Sequence, residues 1–284
     1  MKTDRKYYSI RTGKKNAEMD FNALRKIFFS VYQEFSNKAY FSEYLDDDCP
    51  DSDGGNGKIG DVSVFLLRKL RKDNLWPMHE HWESYSEEDI FDLIEFLFDH
   101  VSAPIDKDAS YHSFYNHYHY KYFDREQGKK EYRDAINEIL NDYGAGYELG
   151  DNGEIYALLQ EEFRPLLKAN IPTSDTDNVE AKIAKAVNKF RRYGSTLDER
   201  HESVRTLADC LEYLRKDLQN VITQKDDGDL FQIANNFGIR HHNDKQKTNY
   251  DRAIWLSWMF YFYLATLHAG LRLLEGNERK SKNK

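Results

Sequence analysis

The stretch 253–271 carries no formal charge unless His268 takes up a proton. No other feature limits the fold so tightly. An uncharged run of this length must either cross a bilayer or be covered by the rest of the chain. Trp255, Ser257, Trp258, Tyr261, Tyr263, Thr266 and His268 are spread through its middle, whereas a spanning helix keeps its interfacial aromatics at the two ends. The segment therefore reads as the central buried helix of a bundle with no membrane contact, a transmembrane helix being the lesser alternative.

The residues around it supply the other helices. A linker at 170–178, rich in turn formers and helix caps, separates two parts. Beyond it Val179, Ile183, Val187 and Phe190 mark one helix. Val204, Leu207, Leu211, Leu214, Leu218 and Val221 alternate steps of three and four, the seam of a helix packed at a shallow angle. Segments 229–237 and 251–275 complete a four-helix set whose short connections favour antiparallel neighbours. The expected fold is mainly α, with residues 1–170 as a mostly helical first domain and 171–284 as an antiparallel helical bundle.

In the first domain, apolar stripes appear at Phe21, Leu24, Ile27, Phe28 and Val31, and at Val62, Phe65, Leu66 and Leu70. Ser86 with Asp89 forms a capping-box pattern ahead of Ile90, Phe91, Ile94, Leu97, Phe98 and Val101. Another helix is marked by Tyr132, Ala135, Ile136, Ile139, Leu140 and Tyr143. A small hairpin is expected over 147–156, because Asn152-Gly153 offers the positive φ angles of a tight turn. The acidic, glycine-rich segment 46–57 reads as a surface loop. Tyr111, Phe114, Tyr115, Tyr118, Tyr120, Tyr122 and Phe123 read as the core of a helix-poor region, with base stacking as the alternative.

Net charge is −8, so a general nucleic-acid sleeve is excluded and any such contact must be local. Cys49 and Cys210 lie far apart with no metal-ligand spacing, and the N-terminus has no apolar leader, which together suit a cytoplasmic protein. Two His-x-His pairs, His79 with His81 and His117 with His119, could each grip a metal if they lay on strands. Each alone supplies too few ligands, so no metal or cofactor is expected.

The strongest candidate site lies just before the apolar helix. Gly238 is a natural helix stop. Arg240, His241, His242 and Asn243 follow it, and the next helix is expected to start at Thr248 or Asn249 with Asp251 in its first turn. Cations beside a helix N-terminus favour an anion such as phosphate. Histidine can remove a 2′-hydroxyl proton near neutral pH, and a guanidinium can hold a phosphorane. Lys245, Lys247 and Arg252 would hold flanking backbone. The bland alternative is an Arg240 ion pair with Asp251 or Glu212 that locks the last helix.

Arg240-His241-His242-Asn243 followed by a long apolar helix resembles the C-terminal domain of HEPN-type abortive-infection proteins. The family signature puts a histidine four to six positions after the arginine. Here the histidines follow at once, and Asp244, Lys245 and Gln246 stand in those places. The resemblance implies a homodimeric helical bundle acting in phage defence as a metal-independent endoribonuclease. Arg240, His242 and His241 would be catalytic, and Asn243, Lys245, Lys247 and Arg252 would bind RNA. Residues 1–170 would then be a sensing or restraining domain. The alternative is an inactive HEPN-like module that binds RNA, a nucleotide or a partner protein.

Overall fold

The computed structural model describes residues 8–12, 19–45, 57–113, 117–144, 146–158, 163–173, 175–222, 239 and 251–282. The chain divides into two compact units, Met1–Leu158 and Leu159–Lys284. Both are built mainly of helices, and the strands are short antiparallel pairs in the first unit. The helix expected at 229–237 and most of the acidic loop lie outside the described residues.

In the first unit, α1 (Tyr8–Arg11), α2 (Phe21–Asn37), α3 (Ser42–Leu45), α4 (Val62–Leu70) and α5 (Met78–His81) lead to α6 (Glu87–Asp99). Strands β1 (Ala103–Ile105), β2 (Ser110–His112), β3 (His117–His119) and β4 (Tyr122–Asp124) come next. Helix α7 (Arg125–Leu140), β5 (Tyr147–Leu149) and β6 (Ile155–Ala157) close the unit.

Helix α6 supplies seven residues of the core. Ile90, Phe91, Leu93, Ile94, Phe96, Leu97 and Phe98 are all buried, so apolar contact wraps most of the helix rather than a single stripe. Ser86 and Asp89 form the anticipated reciprocal capping box. Lys72 then donates to Asp89 at 2.9 Å and to Asp92 at 2.8 Å. Against α6 packs the fully buried Tyr132 of α7, with Phe35 and Phe41 edge-on to its ring. Gly128 lets α7 meet β1, since a Cβ there would lie 2.6 Å from the Ala103 nitrogen.

Strands β1–β4 form one interrupted two-stranded ribbon. Ala103 pairs with Asp124 and Ile105 with Tyr122; further out, Ser110 pairs with His119 and His112 with His117. Residues 106–109 face only 120 and 121, which breaks the ladder at its middle. Tyr111, Tyr118 and Tyr122 stand exposed on this ribbon, which corrects their reading as core.

The β5–β6 hairpin forms as expected, with Leu149 opposite Ile155. Its connection is longer than an Asn-Gly two-residue turn. Gly150 N–H donates to the Glu154 carbonyl, and of the Asn152-Gly153 pair only Gly153, at φ +83°, has a positive φ.

The second unit holds α8 (Arg164–Lys168), a π-helical turn (Thr176–Glu180), α9 (Ala181–Arg191), α10 (Leu197–Tyr213), α11 (Arg215–Leu218) and α12 (Arg252–Lys282). Helix α10 packs on α9 and α12. The predicted seam is real. Val204, Leu207, Leu211, Leu214 and Leu218 are all buried, and the pattern carries through the break between α10 and α11. Leu166, Leu167 and Ile171 pack on the same core.

Helix α12 buries Leu256, Met259, Phe260, Tyr263, Leu264, Leu267, His268 and Leu271. Its burial is one-sided: Ile254 is 65% exposed, Trp255 38% and Trp258 43%. The expected central buried helix is thus buried along one side, where α9, α10 and α11 pack on it, and exposed on the other. Among the described residues, no helix is long and apolar enough to cross a membrane. The cap of α12 is Asp251, whose carboxylate accepts from the Ile254 N–H at 3.1 Å. Thr248 and Asn249 lie outside the described residues.

Candidate functional site

Of the residues singled out from sequence, Arg240, His241, His242, Asn243, Lys245 and Lys247 lie outside the described residues. Two points on either side of them are described. Ile239, directly before Arg240, is 1% exposed and belongs to the core of the second unit. Arg252 opens α12 and donates to Asp198, in the first turn of α10, at 2.9 Å. Its guanidinium thus already has a carboxylate partner, and both side chains remain solvent-accessible.

That end of the second unit gathers other cations. Arg192 donates to Glu199 at 2.6 Å, and the Arg200 guanidinium lies 5.6 Å from the centre of the Phe190 ring. Thr196 and Glu199 form a capping box that starts α10 here. Bonds from Thr196, with Arg192 nearby, hold the Glu199 carboxyl below its ordinary range.

A second feature was not singled out from sequence. Lys182, Lys185 and Lys189 recur at steps of three and four along α9, so they share one face of the helix. They line a cleft of about 290 Å³ between α9 and α10, whose other walls include Ser203, Thr206 and Asp209. Lys189 donates to Glu202 at 2.6 Å. Among the described residues, neither Lys182 nor Lys185 is in an ion pair. Cys210 also lines the cleft, but burial pushes its thiol up to about 11. At neutral pH it stays protonated and is a poor nucleophile. The cleft suits holding an anion rather than covalent chemistry.

Charge supports a local basic region. Residues 1–158 hold 20 Lys and Arg against 31 Asp and Glu, while residues 159–284 hold 21 against 18. The acidic balance of the whole chain therefore comes from the first unit alone. The lysine row was visible in the sequence as the polar complement of Ile183, Ala186 and Phe190. Which element it faced was not.

His79 and His81 sit at α5, a single helical turn, so the strand geometry that would align them is missing. Comparison with protein-family models, curated proteins and solved structures finds no match.

Proposed function

We propose that the second unit binds RNA along the α9–α10 cleft, and that the Arg240 loop cleaves it without metal. The observation that carries the binding half is the row of Lys182, Lys185 and Lys189 over the cleft, in the half of the chain where cations outnumber acids. Lysines one helical turn apart can follow successive backbone phosphates. The cleavage half rests on residue chemistry and on the HEPN resemblance. In this reading the protein is a phage-defence effector: His242 or His241 takes the 2′-hydroxyl proton, the freed oxygen bonds to phosphorus, Arg240 steadies the phosphorane, and the bond to the 5′-oxygen breaks to leave a cyclic phosphate, the 5′-oxygen taking up a proton. Asn243, Lys245 and Lys247 help seat the strand, and Arg252 contributes only by exchanging Asp198 for phosphate. The immediate succession of Arg240, His241 and His242 favours one second reading, a HEPN-like module that binds RNA without cutting it.

The test uses purified full-length protein with labelled single-stranded RNA, in chelator. Replacing Lys182 and Lys185 with glutamine should weaken binding and flatten its salt dependence by about 0.7 in log–log slope per lost phosphate contact. Unchanged affinity and slope would refute the cleft. For cleavage, Arg240→Ala should lower the rate by about 10² to 10³, and His242→Ala by about 10² to 10⁴. Binding without any cleavage by folded wild-type protein would establish the second reading.

A further inference from the structure

Arg200, in the first turn of α10, is half-buried. Its Nε is buried without a hydrogen-bond partner, and among the described residues its guanidinium is in no ion pair. Arg25 in the first unit also hides its Nε, yet another of its nitrogens donates to Asn22. The two carboxylates next to Arg200 in the chain are already engaged. Asp198 accepts from Arg252 at 2.9 Å, and Glu199 accepts from Arg192 at 2.6 Å and from the Thr196 N–H. A buried charged donor left unmet costs free energy, so such a group calls for an acceptor.

The guanidinium is nevertheless held in place. It lies over the Phe190 ring, 5.6 Å from the centre, and Phe190 is itself fixed by stacking on Phe260 at 3.9 Å. Tyr261 follows Phe260 on α12 and stacks on Phe163, with ring centres 4.2 Å apart. Burial pushes the pKa of the Tyr261 hydroxyl up, and the guanidiniums of Arg191 and Arg200 pull it part of the way back. The hydroxyl is thus close enough to feel both charges, and at neutral pH it keeps a proton to donate. A fixed guanidinium and a phenolic donor together suit an oxyanion. Phosphate fits better than carboxylate, since two of its oxygens match the guanidinium fork and a third is left for the hydroxyl.

We propose that Arg200 and the Tyr261 hydroxyl hold a phosphate group where α9, α10 and α12 meet. Arg191 adds positive charge there but has interactions of its own, so no bond is assigned to it. Neither Arg200 nor Tyr261 lines the lysine cleft, which makes this a separate contact. The phosphate can belong to a free nucleotide or to a nucleic-acid backbone. The proposal does not rest on the RNA reading, because inorganic phosphate suffices to test it.

The experiment follows arginine Nε–Hε signals by NMR in full-length protein at constant ionic strength. Inorganic phosphate, uridine monophosphate and a single-stranded RNA are added in separate titrations. One signal, assigned to Arg200 by its loss in Arg200→Gln, should shift and saturate with phosphate. Phosphate affinity, read from the phosphorus linewidth, should fall about 10- to 100-fold in Arg200→Gln and about tenfold or less in Tyr261→Phe. Arg200→Lys keeps the charge but not the fork, so it should stay folded by circular dichroism and still bind more weakly than wild type. Arg205→Gln, at an exposed position of α10, should change neither reading. Saturation by phosphate with no response to RNA would keep this site and remove the RNA reading. No Arg200 shift with any of the three ligands would overturn the proposal, as would undiminished phosphate binding by folded Arg200→Gln or Arg200→Lys.

Discussion

His268 shows how one residue can set the pH response of a helical unit. It is 6% exposed on the packed side of α12, and its Nδ1 has no hydrogen-bond partner among the described residues. Burial, with a further push from Arg272, lowers its pKa below the ordinary histidine value. The unfolded chain therefore binds the proton more tightly than the folded one. Stability is full above about pH 6.5, falls as pH drops through that value, and levels off below the folded pKa. His268→Gln should flatten this dependence, measured as melting temperature from pH 8 to pH 5. A parallel profile for wild type and variant would show that His268 does not control it. His100 acts with the same sign in the first unit. Burial lowers its pKa although its Nδ1 lies 2.6 Å from the Phe96 carbonyl. Acid should thus weaken both units.

At the scale of elements, the closest approaches depend on residues with no side chain. A Cβ on Gly128 would lie 2.6 Å from backbone atoms of Ser102 and Ala103, neither of which can swing aside. Gly128→Ala should therefore force α7 away from β1 and cost about 1–3 kcal/mol, as overpacking usually does, despite the better helix propensity of alanine. Chemical denaturation of the first unit would measure it, and a neutral or stabilising result would mean the contact is looser than drawn. Gly270 is a contrasting case. A Cβ there would meet the Leu218 methyl at 2.8 Å, the end of a flexible side chain that can shift. Helices announced themselves through caps and spacing: Ser86 with Asp89, and the Leu207–Leu211–Leu214–Leu218 seam, occupy the roles their positions suggested. The ribbon did not announce itself. Its aromatics resemble a core in composition, and only strand pairing shows that Tyr111 and Tyr118 face solvent.

At the scale of the whole molecule, the outer side of α12 presents an exposed apolar strip among the described residues. Ile254, Trp255 and Trp258 are exposed, and the Trp258 ring stacks on Phe262 at 5.4 Å, which extends the apolar strip along the helix. Apolar strips of this kind usually mark an interface. A second copy of the chain is the proposed occupant, since a two-fold axis lets one strip cover its own image. Light scattering of wild-type protein at micromolar concentration should give a dimer, and Trp258→Asp should give a monomer that stays folded. A monomeric wild type would remove this proposal.

By itself the sequence indicated most of the longer helices, several of their caps and the inward stripes of those helices, because these depend on neighbours three or four positions away. It also offered Arg240, His241 and His242 as a candidate site, on the chemistry of those residue types alone. Tertiary structure alone decided which side of α12 is exposed, that the α9 lysines overlook a cleft walled by α10, and that β2 pairs with β3. Each of these joins segments whose separation along the chain carries no local signal. Strand register across an interrupted ladder, and the choice of which helix covers which, are settled by packing the whole unit at once.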